Sequence, residues 1–457
     1  MAQATVTDRD TARLAELIEE QQEIFLARQT KSAEMLARAK KSLAGGGTSS
    51  WQIARPQMIW VSHGSGSKVY DVDGMEYVDM HGGYGVSLMG HGHPAVVKAI
   101  NDRGPLGTHF AQPTEDAIWC GEELARRWGL PLWRFGNSGT EATMDAFHLM
   151  RAHTGRDYVI KIEGCYHGHH DSAMVSVAND EDEIGPADHP AQPAAGTGLP
   201  KAITDLTLIA PFNDLDYIER LFADHEGQIA GMILEPIMMN AGIIPPDDGY
   251  LQGLKDILHR HGALLAFDEV KTGLTVGPGG ATKALGVTPD IVCLAKAIGG
   301  GVPCGAIGGT AEVMNTIAEG GYDQVGTFNG NPLTMAAVKA TLETLDDAAY
   351  EHIDKLRKIA VDGIEKLIAE YDIPAHVVAV GAKGAVTFST EPVRDYRGFL
   401  KIDDRFSNAH WLFQHNGGVF LPPWGKAEQW LFSVQHTEDD AQRLVDNFES
   451  MARAFRA

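Results

Sequence analysis

The stretch "YLQGLKDILHRHGALLAFDEV", residues 250–270, joins two periodicities end to end. Its first half spaces apolar residues three and four apart, as an amphipathic helix does. After His261-Gly262 the spacing gives way to an unbroken apolar run that ends at Asp268. A run this short, apolar at every position, fits a strand buried on both faces, and buried strands alternating with helices make a mainly parallel sheet covered on both sides. The same theme repeats outward along the chain. "YVIKI" (158–162), "TLIAPF" (207–212), "IAGMILEPI" (229–237) and "DIVCLAK" (290–296) are further strand candidates, and "DYIERLFADHEG" (216–227) is a helix between two of them. The expected fold is therefore α/β, with residues 95–340 as a large sheet domain.

On either side the pattern changes. Residues 1–94 carry one or two amphipathic helices over 9–43, a helix-breaking "AGGGTSS", and an alternating stretch, "SKVYDVDGMEYVDM" (67–80), that reads as a β-hairpin. Residues 341–457 hold two helices, a few short strands and a closing helix, "TEDDAQRLVDNFESMARAF". Together these flanks are expected to form a smaller α+β domain. The acidic, Pro/Ala-rich segment 178–201 is a long loop inside the large domain, which suits a lid.

A formal charge of −23 over 457 residues argues against nucleic acid or an anionic membrane as the main partner, because both demand clustered Lys and Arg. The four cysteines form no CxxC pair and have no zinc spacing, so free thiols in a reducing cytosol are the simpler reading. No secretory signal pattern or membrane-length apolar segment is present, and a cytoplasmic location is expected.

Ligands of open α/β sheets collect at the carboxyl ends of the strands. There "FGNSGTEATMDAFHLMRAHTG" (135–155) passes from a strand end through Ser138, Gly139 and Thr140 into a helix, which is either a phosphate cup or an ordinary Ser N-cap. Asp268, at the end of an apolar strand, needs a cationic partner. A Walker-B role lacks the GxxxxGK[ST] that would accompany it. "GCYHGHHD" (164–171) offers three histidines without matching carboxylates or cysteines, so no metal is expected. Tyr166 there reads as a flat ring for stacking on a heterocycle, with His167 beside it at the cofactor. Lys296, in "DIVCLAKAIGGG" (290–301), is either a solvated strand-end residue or a buried amine able to form a Schiff base. Phosphate cup, acid for a ring nitrogen, stacking ring and lysine are what pyridoxal 5′-phosphate (PLP) requires. Gly299 to Gly301 would let the chain turn sharply after that lysine.

The chain resembles the class III (subgroup II) PLP-dependent aminotransferases of fold type I, in particular the glutamate-1-semialdehyde 2,1-aminomutase group and its aminotransferase relatives. The motifs that carry the resemblance include "GHGHP", "NSGTEA", "YHGHHDS", "FND", "LEPIMMNAGIIPP", "GALLAFDEVKTG", "GVTPDIVCLAKAIGGGVPCGAIGG", "GTFNGNP" and "QHTEDD", in family order. The resemblance implies a large domain with a mainly parallel, seven-stranded sheet between helices. It implies Lys296 as the Schiff-base lysine and proton carrier, and Asp268 as partner of the pyridinium nitrogen. Tyr166 and Val270 would lie on the two ring faces, and Gly139 and Thr140 would hold the phosphate beside Ser138. Thr327 would complete the phosphate site of a neighbouring subunit, making a homodimer with shared active sites. Glu235 and Asn240 would position Asp268 and the region of the cofactor's 3′-oxygen, with Asn213 behind them. Asn240, Trp51 and Gln52 are the candidate substrate contacts.

One departure bears on function. Where aminomutases read like PGGVNSPVRAF, with an arginine that docks the substrate carboxylate, this chain has "AGGGTSSWQIA" (44–54) and Gln52. A neutral amide forms no charge-assisted pair with a carboxylate. Arg55, three residues on, is the alternative for that role, though on a strand it would face the other side. Trp51, Trp424 and Phe328 are either the walls of an apolar site or core and interface packing, and "LPPWGKAEQW" (421–430) places Trp424 and Lys426 where the aminomutase pattern has smaller groups. The expected activity is transfer of an amino group from a β-amino acid, ω-amino acid or amine donor to a keto acid or aldehyde acceptor, through a pyridoxamine phosphate form. The alternative is glutamate-1-semialdehyde 2,1-aminomutase.

Overall fold

A computed structural model describes residues 8–423, 425–426 and 429–457; Trp424 lies outside the described residues. The chain forms two compact units. One comprises Met1–His93, Glu351–Pro392 and Ile402–Ala457, the other Pro94–Tyr350 and Val393–Lys401.

In chain order the strands are β1 (Val61–Ser65), β2 (Lys68–Asp71), β3 (Glu76–Asp79), β4 (Leu132–Gly136), β5 (Tyr158–Ile162), β6 (Thr207–Ala210) and β7 (Ile229–Leu234). They continue with β8 (Leu264–Asp268), β9 (Ile291–Ala295), β10 (Gly305–Gly309), β11 (His376–Val380), β12 (Lys383–Thr387), β13 (Val419–Phe420) and β14 (Trp430–Leu431). The second unit is built on a seven-stranded sheet of order β4-β10-β9-β8-β7-β5-β6. Its β5–β9 pairings are parallel, and β10 runs antiparallel to both β9 and β4. Six strands therefore point one way, and their carboxyl ends share one edge.

The apolar runs are continuous because helices cover the sheet. Every residue of β7 and of β9 is buried. Helix Gly139–Thr154 inserts Ala146, Phe147 and Met150 among Val159, Ala230, Ala266 and Ile291 of the sheet. Helix Tyr250–Arg260 buries Leu251, Leu254, Ile257 and Leu258, the stripe that its sequence spacing sets out. It ends with Ala263 N–H donating to the Leu258 carbonyl at 2.9 Å and Gly262 N–H to His259 at 3.0 Å, and β8 follows at once.

Lys161 of β5 is the exception in an apolar strand. It is fully buried, and its ammonium donates to the carbonyls of Cys165 (2.7 Å), Val175 (2.6 Å) and Ser176 (3.3 Å). Burial brings its pKa down to about 8. The lysine thus fastens the loop after β5. Lys161→Met keeps the side chain's length but leaves those carbonyls without a donor, and should cost about 2 kcal/mol of stability. Urea unfolding of the two proteins checks this, and equal midpoints would show that the loop holds without it.

In the first unit, β2 and β3 form the expected hairpin, joined by β1 and, in parallel, by β13. A second sheet has the order β11-β12-β14. The N-terminal helices span Asp8–Arg28 and Thr30–Ala39, and the closing helix Glu438–Arg456 begins with a Thr437–Asp440 capping box. Val393–Lys401 breaks the simple three-region order by packing with the second unit. There Arg397 makes a two-point ion pair with Glu163, and the Tyr396 hydroxyl donates to the Asn179 carbonyl at 2.7 Å. Among the described residues no helix is long and apolar enough to cross a membrane.

Candidate active site

Five of the six aligned strand ends deliver the candidate residues: Ser138 after β4, Tyr166 and His167 after β5, Glu235 after β7, Asp268 closing β8 and Lys296 after β9. Alternation along β8 sends Asp268 and Glu269 to opposite faces. Glu269, fully buried, accepts from Trp128 Nε1 (3.0 Å), Thr282 N (3.0 Å) and the Thr282 hydroxyl (2.6 Å), so it braces the scaffold. Asp268 is 4 % exposed. Its Oδ1 accepts from Val270 N at 2.9 Å, and its Oδ2 lies 2.7 Å from His167 Nδ1. An ionised carboxylate has no hydrogen to give, so Nδ1 carries the proton of that contact. His167, placed beside the cofactor from sequence, meets Asp268 in this geometry. Its buried Nε2 has no hydrogen-bond partner among the described residues.

Glu235 ties two loops together. Its Oε1 accepts from Tyr166 N (3.1 Å) and Asn240 Nδ2 (2.8 Å), and its Oε2 from Met239 N (2.7 Å). Tyr166 is half-buried; desolvation first, then Asp268, pushes its hydroxyl pKa up. Lys296 has φ 52°, a strained value for a non-glycine residue, and opens a 3₁₀ turn through Gly299. Burial lowers its amine pKa, against the opposing pull of Asp268 and Glu235. No hydrogen bond holds that amine among the described residues, which leaves it free to meet a carbonyl carbon.

The helix after Ser138 is the candidate cup. Ser138 Oγ accepts from Glu141 N at 3.1 Å, an ordinary N-cap, while the Gly139 and Thr140 N–H groups belong to the first turn and have no acceptor within the helix. A Cβ on Gly139 would sit 3.0 Å from both Val270 methyls, so Val270 closes directly on the cup. A Cβ on Gly168 would come within 2.6 Å of the Thr140 hydroxyl. The residues present fit PLP: a close-packed helix start for its phosphate, a buried carboxylate with lone pairs to spare, an aromatic ring and an unengaged amine.

Other candidates lie elsewhere. The Asn213 side chain bonds the Arg394 carbonyl (3.0 Å) and Asp247 N (2.8 Å), away from the Glu235 network. Thr327 is exposed, with its carbonyl accepting from His109 Nε2 at 2.7 Å. Of the histidines considered for a metal, His169 meets the Thr140 hydroxyl and His170 packs edge-on against Phe147. Trp51 and Gln52 belong to the first unit, on a short turn (Ser50–Gln52) where Gln52 Oε1 already accepts from Thr48 N (2.9 Å) and Thr48 Oγ1 (2.8 Å). Arg55 is not on a strand: it stands exposed in a bend before Pro56. Within that unit Trp51, Gln52, Trp60, Tyr84, Trp411 and Phe420 line a cavity of about 560 Å³, and no lysine or arginine is among its lining residues.

Comparison with known proteins shows the family. The family model for class III aminotransferases matches residues 52–449. Glutamate-1-semialdehyde 2,1-aminomutase 1 of Staphylococcus carnosus is 37% identical over 424 residues, covering 92% of this chain and 97% of that protein. Among solved structures, an omega-transaminase from Sphaerobacter thermophilus superposes with a TM-score of 0.87 at 33% identity, over 93% of this chain and 98% of that one. A glutamate-1-semialdehyde aminomutase from Pseudomonas aeruginosa, in complex with PMP, gives 0.90 at 28% identity, over 97% and 99%. With the family model matched over residues 52–449 and a relative 37% identical over 92% of it, this chain belongs to the class III aminotransferases, PLP-dependent enzymes of fold type I.

Proposed function

We propose that the enzyme moves an amino group from a β-amino acid, ω-amino acid or simple amine to a keto acid or aldehyde, and does not isomerise glutamate-1-semialdehyde efficiently. The observation that carries this reading is the aromatic cavity around Gln52, lined by no lysine or arginine, with the Gln52 amide oxygen already committed to Thr48. A substrate carboxylate docked there would forfeit the charge-assisted pair that arginine supplies. Favouring the aminomutase instead are the names of relatives at 36–37% identity. The omega-transaminase, at 33%, weighs on the other side.

PLP, when bound, supplies an electron-withdrawing ring and an exchangeable carbonyl carbon. In the proposed mechanism the chain does the rest. The Asp268 carboxylate keeps the ring nitrogen's proton in place, and Tyr166 and Val270 flank the ring. The Gly139 and Thr140 N–H groups take the phosphate at the positive end of their helix. Lys296 Nζ, once released, takes a proton from the donor carbon and later returns it. Glu235 and Asn240 fix the loop that borders this edge.

A homodimer is part of the same proposal. Thr327 sits between Val325, 83 % exposed, and Phe328, 59 % exposed, and large apolar side chains left in water beside a site residue suit a surface covered by a second copy. The four cysteines are buried and unpaired, which suits the reducing interior of a cell.

The test compares kcat/KM of wild type and Gln52→Arg on glutamate-1-semialdehyde and on a panel of β-aryl and ω-amine donors. Wild type should favour the panel. Gln52→Arg should lose roughly tenfold or more on the preferred donor, because an arginine placed among aromatic rings without a partner resists desolvation. Efficient isomerisation of the semialdehyde by wild type would overturn the proposal.

A further inference from the structure

The segment Val393–Lys401 meets the sheet edge at three of its loops. After β6, Asn213 Nδ2 donates to the Arg394 carbonyl at 3.0 Å, and Arg394 pairs with Asp247 beyond β7. In the loop after β7, a Cβ on Gly242 would meet the Phe399 ring at 3.7 Å. After β5, Glu163 takes Arg397 in the two-point ion pair. Asp395 holds the segment's own fold by accepting from Gly398 N at 2.6 Å, so that Tyr396–Leu400 is a capped helical turn.

Within that turn, Tyr396 fills the space against Gly164. It is 3 % exposed, and its hydroxyl donates to the Asn179 carbonyl at 2.7 Å. Gly164 has φ 73°, and a Cβ on it would overlap the ring, whose carbons are the three nearest atoms. Only glycine allows both the backbone angle and this approach. Two residues on, the Tyr166 N–H is held by Glu235 Oε1, and between them the Cys165 carbonyl accepts from Lys161. The backbone that presents Tyr166 is thus clamped by Lys161 and Glu235 past Gly164, and by Tyr396 at Gly164 itself. Removing the ring would leave the most permissive residue of the loop beside an empty space.

We propose that Tyr396 is a positioning residue for Tyr166: by packing on Gly164 it fixes the loop after β5 where the Tyr166 ring has to lie against PLP. The hydroxyl seats the Tyr396 ring through Asn179, and Arg397, on Glu163, secures the same stretch one residue earlier. The inference rests on the reading of Tyr166 as the stacking ring.

Core packing alone would act without regard to Tyr166, so a double-mutant cycle separates the two roles. The full-length chain, freed of cofactor, is titrated with PLP, and the dissociation constant is read from the visible absorbance. Wild type, Tyr396→Ala, Tyr166→Ala and the double variant are compared. Tyr396→Ala should weaken PLP binding about fivefold, the scale of one aromatic stacking contact. In the Tyr166→Ala background the same change should have no effect, because the ring it positions is gone. Tyr396→Phe, which keeps the ring, should bind PLP as wild type does, and Tyr396→Leu replaces the alanine variant if that one does not fold. Unchanged affinity in Tyr396→Ala overturns the proposal, and so does an equal loss in both backgrounds, since the ring would then act on the fold at large. Tyr166→Ala binding PLP as tightly as wild type would sink the reading of Tyr166, whereas weakened binding there beside an unaffected Tyr396→Ala sinks the Tyr396 proposal alone.

Discussion

Lys296→Ala is expected to abolish turnover, by at least about 10⁴-fold, while the protein stays folded. Two tasks fall on one amine: holding the cofactor covalently and carrying the proton at the reacting carbon. No neighbour replaces it in both. Lys271 is tied to the Met239 carbonyl. Alanine is well suited to the test, because the strained backbone at φ 52° is equally strained for any residue with a Cβ, so folding changes little. Deleting a half-buried chain that makes no hydrogen bond among the described residues leaves no polar group stranded. Cofactor should then bind only non-covalently, washing out on gel filtration that wild type survives. Wild-type transamination by this variant would refute the assignment of the site.

Asp268→Asn should fold normally and lose at least about 10²-fold in rate, the scale of removing a preorganised electrostatic partner. The structure explains why folding survives. Asp268 accepts from two donors, Val270 N and His167 Nδ1, and an asparagine has one acceptor oxygen. His167 can meet the change: if its proton moves to Nε2, Nδ1 accepts from the new amide N–H and the amide oxygen keeps Val270. Only the negative charge is lost, and with it the force that keeps a ring nitrogen protonated. Thermal unfolding beside kcat separates the two effects. A rate equal to wild type would make Asp268 a structural residue.

Much of this was legible in sequence, for a physical reason. β5 to β9 are buried on both faces, so their apolar runs are nearly unbroken, and a charged residue at the end of such a run stands out. Asp268 and Lys296 stand out that way as candidates. Less visible was β10, "GAIGG", whose glycines carry no hydrophobic signal although every position is buried. Asn213 matched its family motif, yet its partners, Arg394 and Asp247, are set by distant loops that no local pattern announces. The same holds for Tyr396 and Arg397, which answer residues more than two hundred positions earlier.

The return of Val393–Lys401 to the second unit puts a clock into synthesis. The seven strands of that unit have all been translated once Gly309 is made, yet Glu163, 1 % exposed, has its ion partner only when Arg397 follows. At ~5–20 residues per second the delay is on the order of ten seconds. During it, the burial that raises Glu163's pKa acts without the arginine that opposes it, so the nascent sheet must either keep this carboxyl in water or let it take up a proton. Arg397 also donates to the Gly185 carbonyl, within the acidic 178–201 loop. That loop, held in part by its own bonds such as Ala191 N to the Ile184 carbonyl, therefore receives its last fastening from a residue translated some two hundred positions later.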